Sequence, residues 1–225
     1  MSKNLSREEL EQDLLVEYSS RLLHFYQQNK SKVIGGGTAF FVLVASVIGF
    51  TFYSSQQSDR AEQLMVQAEN LYRAGSFEQA LYGDEETFTV GFEQIANNYG
   101  STDAGNLAHY YAASSRAEMG EFEEALAAIE KYKSPKGVMG VAPRALHAYI
   151  LAETGNYEMS GKKYEEAANL VENESTTPMY LISAAKAYMK AGNNSKAADL
   201  LDTVIKQYRN SQYATAAENM KSRIG

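Results

Sequence analysis

One phrase recurs four times along this chain: a small residue, six further positions, then a glycine. The pairs are Ala68 and Gly75, Ala113 and Gly120, Ala148 and Gly155, and Ala185 and Gly192. Two residues past the first three glycines stands an aromatic (Phe77, Phe122, Tyr157), and five past all four stands a small residue (Ala80, Ala125, Ser160, Ala197). The glycines lie 45, 35 and 37 positions apart. A recurrence near that period marks stacked helical repeats, because a single helix pair cannot bury its apolar face alone. Each unit is expected to read helix, tight turn at the glycine, helix. The alanine before the turn lets the two helices cross closely, the aromatic packs between them, and the small residue beyond makes room for the next unit.

A second feature divides the chain. Residues 33–53 run VIGGGTAFFVLVASVIGFTFY without a charge. At 1.5 Å per residue this is about 31 Å of helix, the thickness of a hydrocarbon core. Thirty-two residues precede the run and no small-residue cleavage site follows, which points to a retained anchor rather than a signal peptide. Arg21, Lys30 and Lys32 lie close before it and only Arg60 close after. Cations remain on the cytoplasmic side, so the N-terminus is expected inside and the repeats outside, which in a bacterium is the periplasm. The expected layout is a cytoplasmic segment over 1–32, a transmembrane helix over 33–53 and a repeat domain over 59–225. Ala45 and Gly49 form a small-x-x-x-small pair within the span.

Before the span, Ser6 and Glu9 make a capping box, and Leu10, Leu14, Tyr18, Leu22 and Phe25 recur at helical spacing. An amphipathic helix is expected there, lying on the bilayer or against a membrane partner. Pro143 and Pro178 suit the first turn of a helix, and Pro135 sits in a loop with Gly137. The last segment, 211–225, reads as a capping helix with Tyr213, Ala216, Ala217 and Met220 on one face.

Charge is unevenly placed. The net charge is −7, yet residues 59–130 carry 14 acids against 3 bases while residues 131–225 carry 9 against 13. The acidic half is expected to be repelled by nucleic acid and anionic headgroups, and offers a docking surface to a basic partner. There is no cysteine, so disulfides, thiolate metal sites and cysteine nucleophiles are excluded.

The repeat positions resemble the tetratricopeptide repeat over residues 59–210. The first unit departs from that family by about ten extra residues near 82–91, against a family period of about 34. The fourth has Asn194 where an aromatic is expected. The resemblance implies an all-α fold: one N-terminal transmembrane helix, then a right-handed α-solenoid of four tetratricopeptide-like helix pairs with a capping helix. The layout of short cytoplasmic segment, single span and four repeats, with Asn29 and Lys30 just before the span, is also similar to the ancillary subunit of the bacterial Sec translocon. That similarity implies an inner-membrane protein, N-terminus cytoplasmic and repeats periplasmic, whose partners are the translocon or an envelope complex and exported or unfolded polypeptides.

In the tetratricopeptide family the first helix of each pair lines a groove. The matching positions carry Met65 and Tyr72 in the first repeat, Leu107 and Tyr110 in the second, Tyr149 in the third, and Met179, Ile182 and Met189 in the fourth. Methionine adapts its shape and tyrosine combines apolar area with a polar tip, so such a groove suits extended apolar peptides of varied sequence. The positions that clamp a terminal carboxylate in some family members hold Tyr110, Ser114, Ala145 and Tyr149 here, so that clamp is not expected.

Catalytic signals are lacking. His24, His109 and His147 are spaced as no metal pair would be. No nucleophile elbow, phosphate loop or dinucleotide fingerprint occurs. The cluster Asp84, Glu85, Glu86 lacks the alternating oxygens and glycine of a calcium loop. No cofactor, metal, nucleic acid or small-molecule substrate is expected. Two readings remain: a membrane-tethered protein-binding scaffold or chaperone, and a structural subunit of an envelope complex.

Overall fold

The computed structural model describes the backbone of residues 7–224 and the side chains of residues 16–224. The Ser6–Glu9 capping box, and the side chains of Leu10 and Leu14, lie outside the described residues. The chain divides into two compact units, Met1–Ser55 and Gln56–Gly225.

The first unit holds α1 (Arg7–Gln28) and the start of α2 (Lys30–Arg73). Tyr18, Leu22 and Phe25 of α1 are exposed, as are Phe40, Phe41 and Phe52 of α2. α2 is long and apolar enough to cross a membrane by length and composition, with a mean hydropathy of 2.1 over an 18-residue window of which none is buried.

The second unit begins within α2, whose last turns form the first helix of repeat 1. Its partner is split into α3 (Phe77–Tyr82) and α4 (Phe92–Tyr99). Repeat 2 is α5 (Asp103–Glu118) and α6 (Phe122–Ile129); repeat 3 is α7 (Val141–Glu153) and α8 (Tyr157–Leu170); repeat 4 is α9 (Thr177–Lys190) and α10 (Asn194–Gln207). α11 (Ala214–Lys221) packs on α10.

The four turns are one structure repeated. Gly75, Gly120, Gly155 and Gly192 have φ of 80°, 80°, 79° and 79°, the left-handed region that a side chain disfavours. After each, the next amide reaches back five residues: Ser76 to Leu71 (2.9 Å), Glu121 to Arg116 (2.9 Å), Asn156 to Leu151 (2.8 Å) and Asn193 to Tyr188 (2.8 Å). The glycine amide itself reaches back three, so orphan carbonyls at each helix end are satisfied.

The helix crossings follow from the small residues. Ala68, Ala80, Ala113, Ala125, Ala148, Ser160, Ala185 and Ala197 all have no exposed surface. Backbones therefore approach closely enough for Ser160 Oγ, on α8, to donate to the Ala148 carbonyl on α7 at 2.7 Å. Ser115 is as deeply buried, yet its hydroxyl has no hydrogen-bond partner among the described residues.

Neighbouring repeats are joined by more than apolar contact. The Tyr188 hydroxyl of α9 donates to Glu165 of α8 at 2.7 Å, and Lys196 of α10 meets the other oxygen of that carboxylate at 3.0 Å. Tyr208 donates to Glu172 at 2.7 Å. At the end of the stack Ala217 is fully buried and Lys221 pairs with Asp202. Ala216, expected on the inner face of this helix, is exposed. The face is built instead by Tyr213, Ala217, Met220 and Ile224, which follow the helical period from the buried alanine.

The structure departs from an all-α fold at the insertion. β1 (Gly83–Asp84) and β2 (Thr89–Val90) form an antiparallel hairpin, Gly83 opposite Val90 and Asp84 opposite Thr89. Gly83 leaves the helix at φ 101°, and Asp84 accepts from the Glu86 amide at 3.2 Å and the Thr87 hydroxyl at 2.6 Å. Local side-chain bonds of this kind give the backbone an alternative to helix, so the extra residues leave it as a ribbon.

Candidate peptide-binding face

The first helices of the repeats carry most of the groove positions, and tyrosines dominate what they present. Tyr72 of α2 shares a 2.7 Å hydrogen bond with Ser114 of α5 and meets the rings of Phe77 (5.3 Å), Phe92 (6.3 Å) and Tyr111 (5.2 Å) edge-on. Tyr111 also stacks on Phe92 at 4.9 Å. Tyr110 touches Tyr111 at 5.5 Å and Tyr132 at 5.7 Å. Further along, Phe122 abuts Tyr149 edge-on at 5.9 Å, and Tyr164 lies over Tyr180 at 6.5 Å. Tyr157 receives Lys190 over its ring at 5.1 Å. The post-turn aromatics Phe77, Phe122 and Tyr157 are all half-buried; Phe122 and Tyr157 reach the first helix of the following repeat.

Burial raises the Tyr110 phenol, and so do its neighbours Tyr72, Tyr111, Tyr132 and Tyr180. Tyr164 is pushed up to about 12 by burial first, then by Tyr149, Glu153 and Tyr180. These phenols stay protonated in neutral solution, so their hydroxyls are able to donate hydrogen bonds. Burial raises the Tyr111 phenol, with Glu69 and its ion-pair partner Arg73 acting in opposite directions; burial and then Glu153 and Glu118 raise Tyr149.

Not every predicted position is available. Tyr149 is the most open, at 41 % exposure, and Tyr72, Leu107, Tyr110, Met179 and Met189 are half-buried or less. Met65 and Ile182 are buried and packed into the cores of repeats 1 and 4. They cannot touch a ligand, because the packing of their own repeats covers them. The face is therefore richer in tyrosine and poorer in methionine than the groove positions imply. Sequence reasoning misses Tyr111, Tyr132, Tyr164 and Tyr180; the only signal for them is 16 tyrosines in a chain with no tryptophan.

Two clefts open between successive second helices, and Tyr132 lines the second of them. His109, Glu93, Arg116 and Lys131 line one; His147, Glu130, Arg144, Lys163 and Glu166 line the next. Burial and then Lys131 lower the His109 imidazole below its usual range. Burial and Lys163 lower His147, opposed by Glu130 and Glu166. Among the described residues no three His, Asp or Glu side chains converge as a metal-binding set.

Set against solved structures, the chain resembles two crystal structures from Podosopora anserina, of putative kinesin light chain nearly identical TPR-like repeats, one of them a variant with a single substitution. Both share 14 % identity over 74 % of this chain at a TM-score of 0.57, covering 85 % and 86 % of their own lengths. At that identity the likeness establishes the fold, which is that of a tetratricopeptide-like helical repeat protein. No family model and no curated sequence matches the chain.

Proposed function

We propose that this protein is a membrane-tethered scaffold or periplasmic chaperone, wound as a right-handed superhelix, that holds extended segments of exported or envelope proteins near the Sec translocon. The observation that carries this reading is the recurrence of part-exposed tyrosines along the repeats, Tyr110 on α5, Tyr149 on α7, and Tyr164 of α8 stacked on Tyr180 of α9. Flat rings over a shallow floor accept many apolar side chains, and the hydroxyls bond to an extended backbone. The acids Glu118 and Glu153 beside Tyr149 favour clients with basic residues beside their apolar ones. Without a carboxylate clamp, internal segments are bound as readily as chain ends.

The apolar run of α2 supports the tether. A weak site held at a membrane works at high effective concentration, so modest affinity suffices. Recovery of partners by full-length chain and by a variant lacking residues 33–53 tests this; equal recovery would count against tethering. Protease accessibility in spheroplasts decides the side on which the repeats lie.

A specific observation favours a second reading, that of a structural subunit in an envelope complex. Tyr72, Tyr111 and Phe92 already pack on one another, as parts of a rigid brace would. The double substitution Tyr110→Ala, Tyr149→Ala separates the two. Client capture predicts loss of crosslinking to unfolded chains, whereas a brace predicts an unchanged complex.

A further inference from the structure

Two protrusions of the repeat unit display the most exposed large apolar residues it has. Phe88, at the hairpin, is 89 % exposed, and Val138 and Met139, in the loop between repeats 2 and 3, are 70 % and 74 % exposed. Folding does not bury them, and each is held out by built structure. The hairpin turn is tied by Asp84, Thr87 and Thr89, and Phe88 itself has φ 54°. The loop is clamped at Lys133, whose backbone amide and carbonyl both bond to the Asn106 side chain (2.8 and 3.1 Å). Arg144 then donates to Ser134, Pro135 and Gly140 at 2.8, 3.1 and 2.9 Å. Pre-organised tips lose little entropy on docking.

Their charges are opposite. Asp84, Glu85 and Glu86 precede Phe88, whereas Lys131, Lys133 and Lys136 precede Val138 and Met139. The same polarity runs through the halves that carry them, acidic over residues 59–130 and basic over residues 131–225. Within one molecule the two segments are anchored at opposite ends of α5. Tyr82, at the base of the hairpin, lies against Arg116 near the end of α5, while the loop is bonded to Asn106 near its start. Those anchors are about 15 Å apart along the helix.

We infer that the Phe88 hairpin of one copy docks on the Lys133–Met139 loop of a second copy of this chain, giving head-to-tail association. Phe88 covers Val138 and Met139 while the glutamates face the lysines. The contact is heterologous, so each end keeps a free tip and the association forms rows or rings rather than a closed two-fold dimer. Two tips bury far less than the roughly 800 Å² per partner of a stable interface. The association is thus weak in dilute solution and depends on copies sharing a membrane. It is independent of what the tyrosine face binds.

The absence of cysteine makes the test direct. Full-length Phe88→Cys and Met139→Cys variants, differently tagged and co-produced, are oxidised in native membranes. The mixed pair should yield about tenfold more disulfide-linked dimer than either variant alone, since like-charged tips repel. The double variant should give a ladder of higher species. Glu85→Lys with Glu86→Lys in the Phe88→Cys chain should suppress the product, and Lys133→Glu with Lys136→Glu in its partner should restore it. Homotypic products as abundant as the mixed one would overturn the inference. So would Phe88→Cys trapped only on a different polypeptide, Met139→Cys shielded by lipid alone, or a charge swap that fails to restore the crosslink.

Discussion

Two buried serines should answer the same substitution in opposite directions. Ser160→Ala removes a buried hydrogen bond to the Ala148 carbonyl and should cost about 1 kcal/mol. Ser115→Ala removes a buried hydroxyl that has no partner among the described residues, and should stabilise by about 1 kcal/mol. Urea midpoints with unchanged slopes would check both. Two glycines likewise differ. Gly155→Ala should cost about 1–2 kcal/mol for its left-handed backbone, with open space around the new methyl. Gly105→Ala should cost more, about 3 kcal/mol, because its methyl would stand 1.8 Å from the Tyr99 carbonyl, a backbone atom that cannot rotate away. A thermal melt showing the reverse order would contradict this packing. Gly155 was legible from sequence through its repeat. Gly105 was not, since no repeat position or turn motif marks the approach of the last turn of α4.

Among the elements, the junction of repeats 3 and 4 rests on Tyr188. Burial raises its phenol, reinforced by the hydrogen bond to Glu165 and by the charges of Glu165 and Glu158. Tyr188→Phe keeps the ring and loses the bond to a charged acceptor, which should cost about 1.5–3 kcal/mol. Tyr188→Ala empties a fully packed site as well and should cost about 3–5 kcal/mol. Both are measured by denaturant unfolding of the full chain. The elements themselves were largely readable beforehand. Gly75, Gly120, Gly155 and Gly192 mark every helix-pair turn, and the excess of residues near 82–91 marks the insertion. Its ribbon form was not readable, because two short strands depend on Asp84 and Thr87 bonding to one another rather than on any hydrophobic period.

Across the full chain, the two cleft histidines set a pH dependence. Both imidazoles bind a proton less readily in the folded chain than at the ordinary value of 6.5. Below that value the unfolded chain takes up more protons than the folded one. Their contribution to stability is therefore complete above the ordinary value and declines as the pH falls through it. Urea midpoints at about pH 7.5 and 5.5 should show a drop on acidification, and His147→Gln should make it smaller. A His147→Gln slope as steep as that of the unaltered chain would remove this histidine from the account. The clefts also show that charges scattered along the sequence are gathered by stacking: Glu130, Lys163 and Glu166 reach His147 from two different segments.

Where helix pairs begin, turn and cross is dictated by the order of residues alone. Those features are steric and local: a left-handed turn requires glycine and a close crossing requires a residue no larger than alanine or serine, so the need is written at the position that has it. The apolar run of α2 and the imbalance of charge between the two halves are equally properties of the chain before it folds. Which groove positions stay open was settled by packing instead, since Met65 and Ile182 are covered while Tyr149 stays exposed and Tyr164 and Tyr180 stack part-buried on each other. Exposure is a property of neighbours that stacking brings in. For the same reason the outward display of Phe88 and Met139 became visible only once most other large side chains of the repeats had found cover.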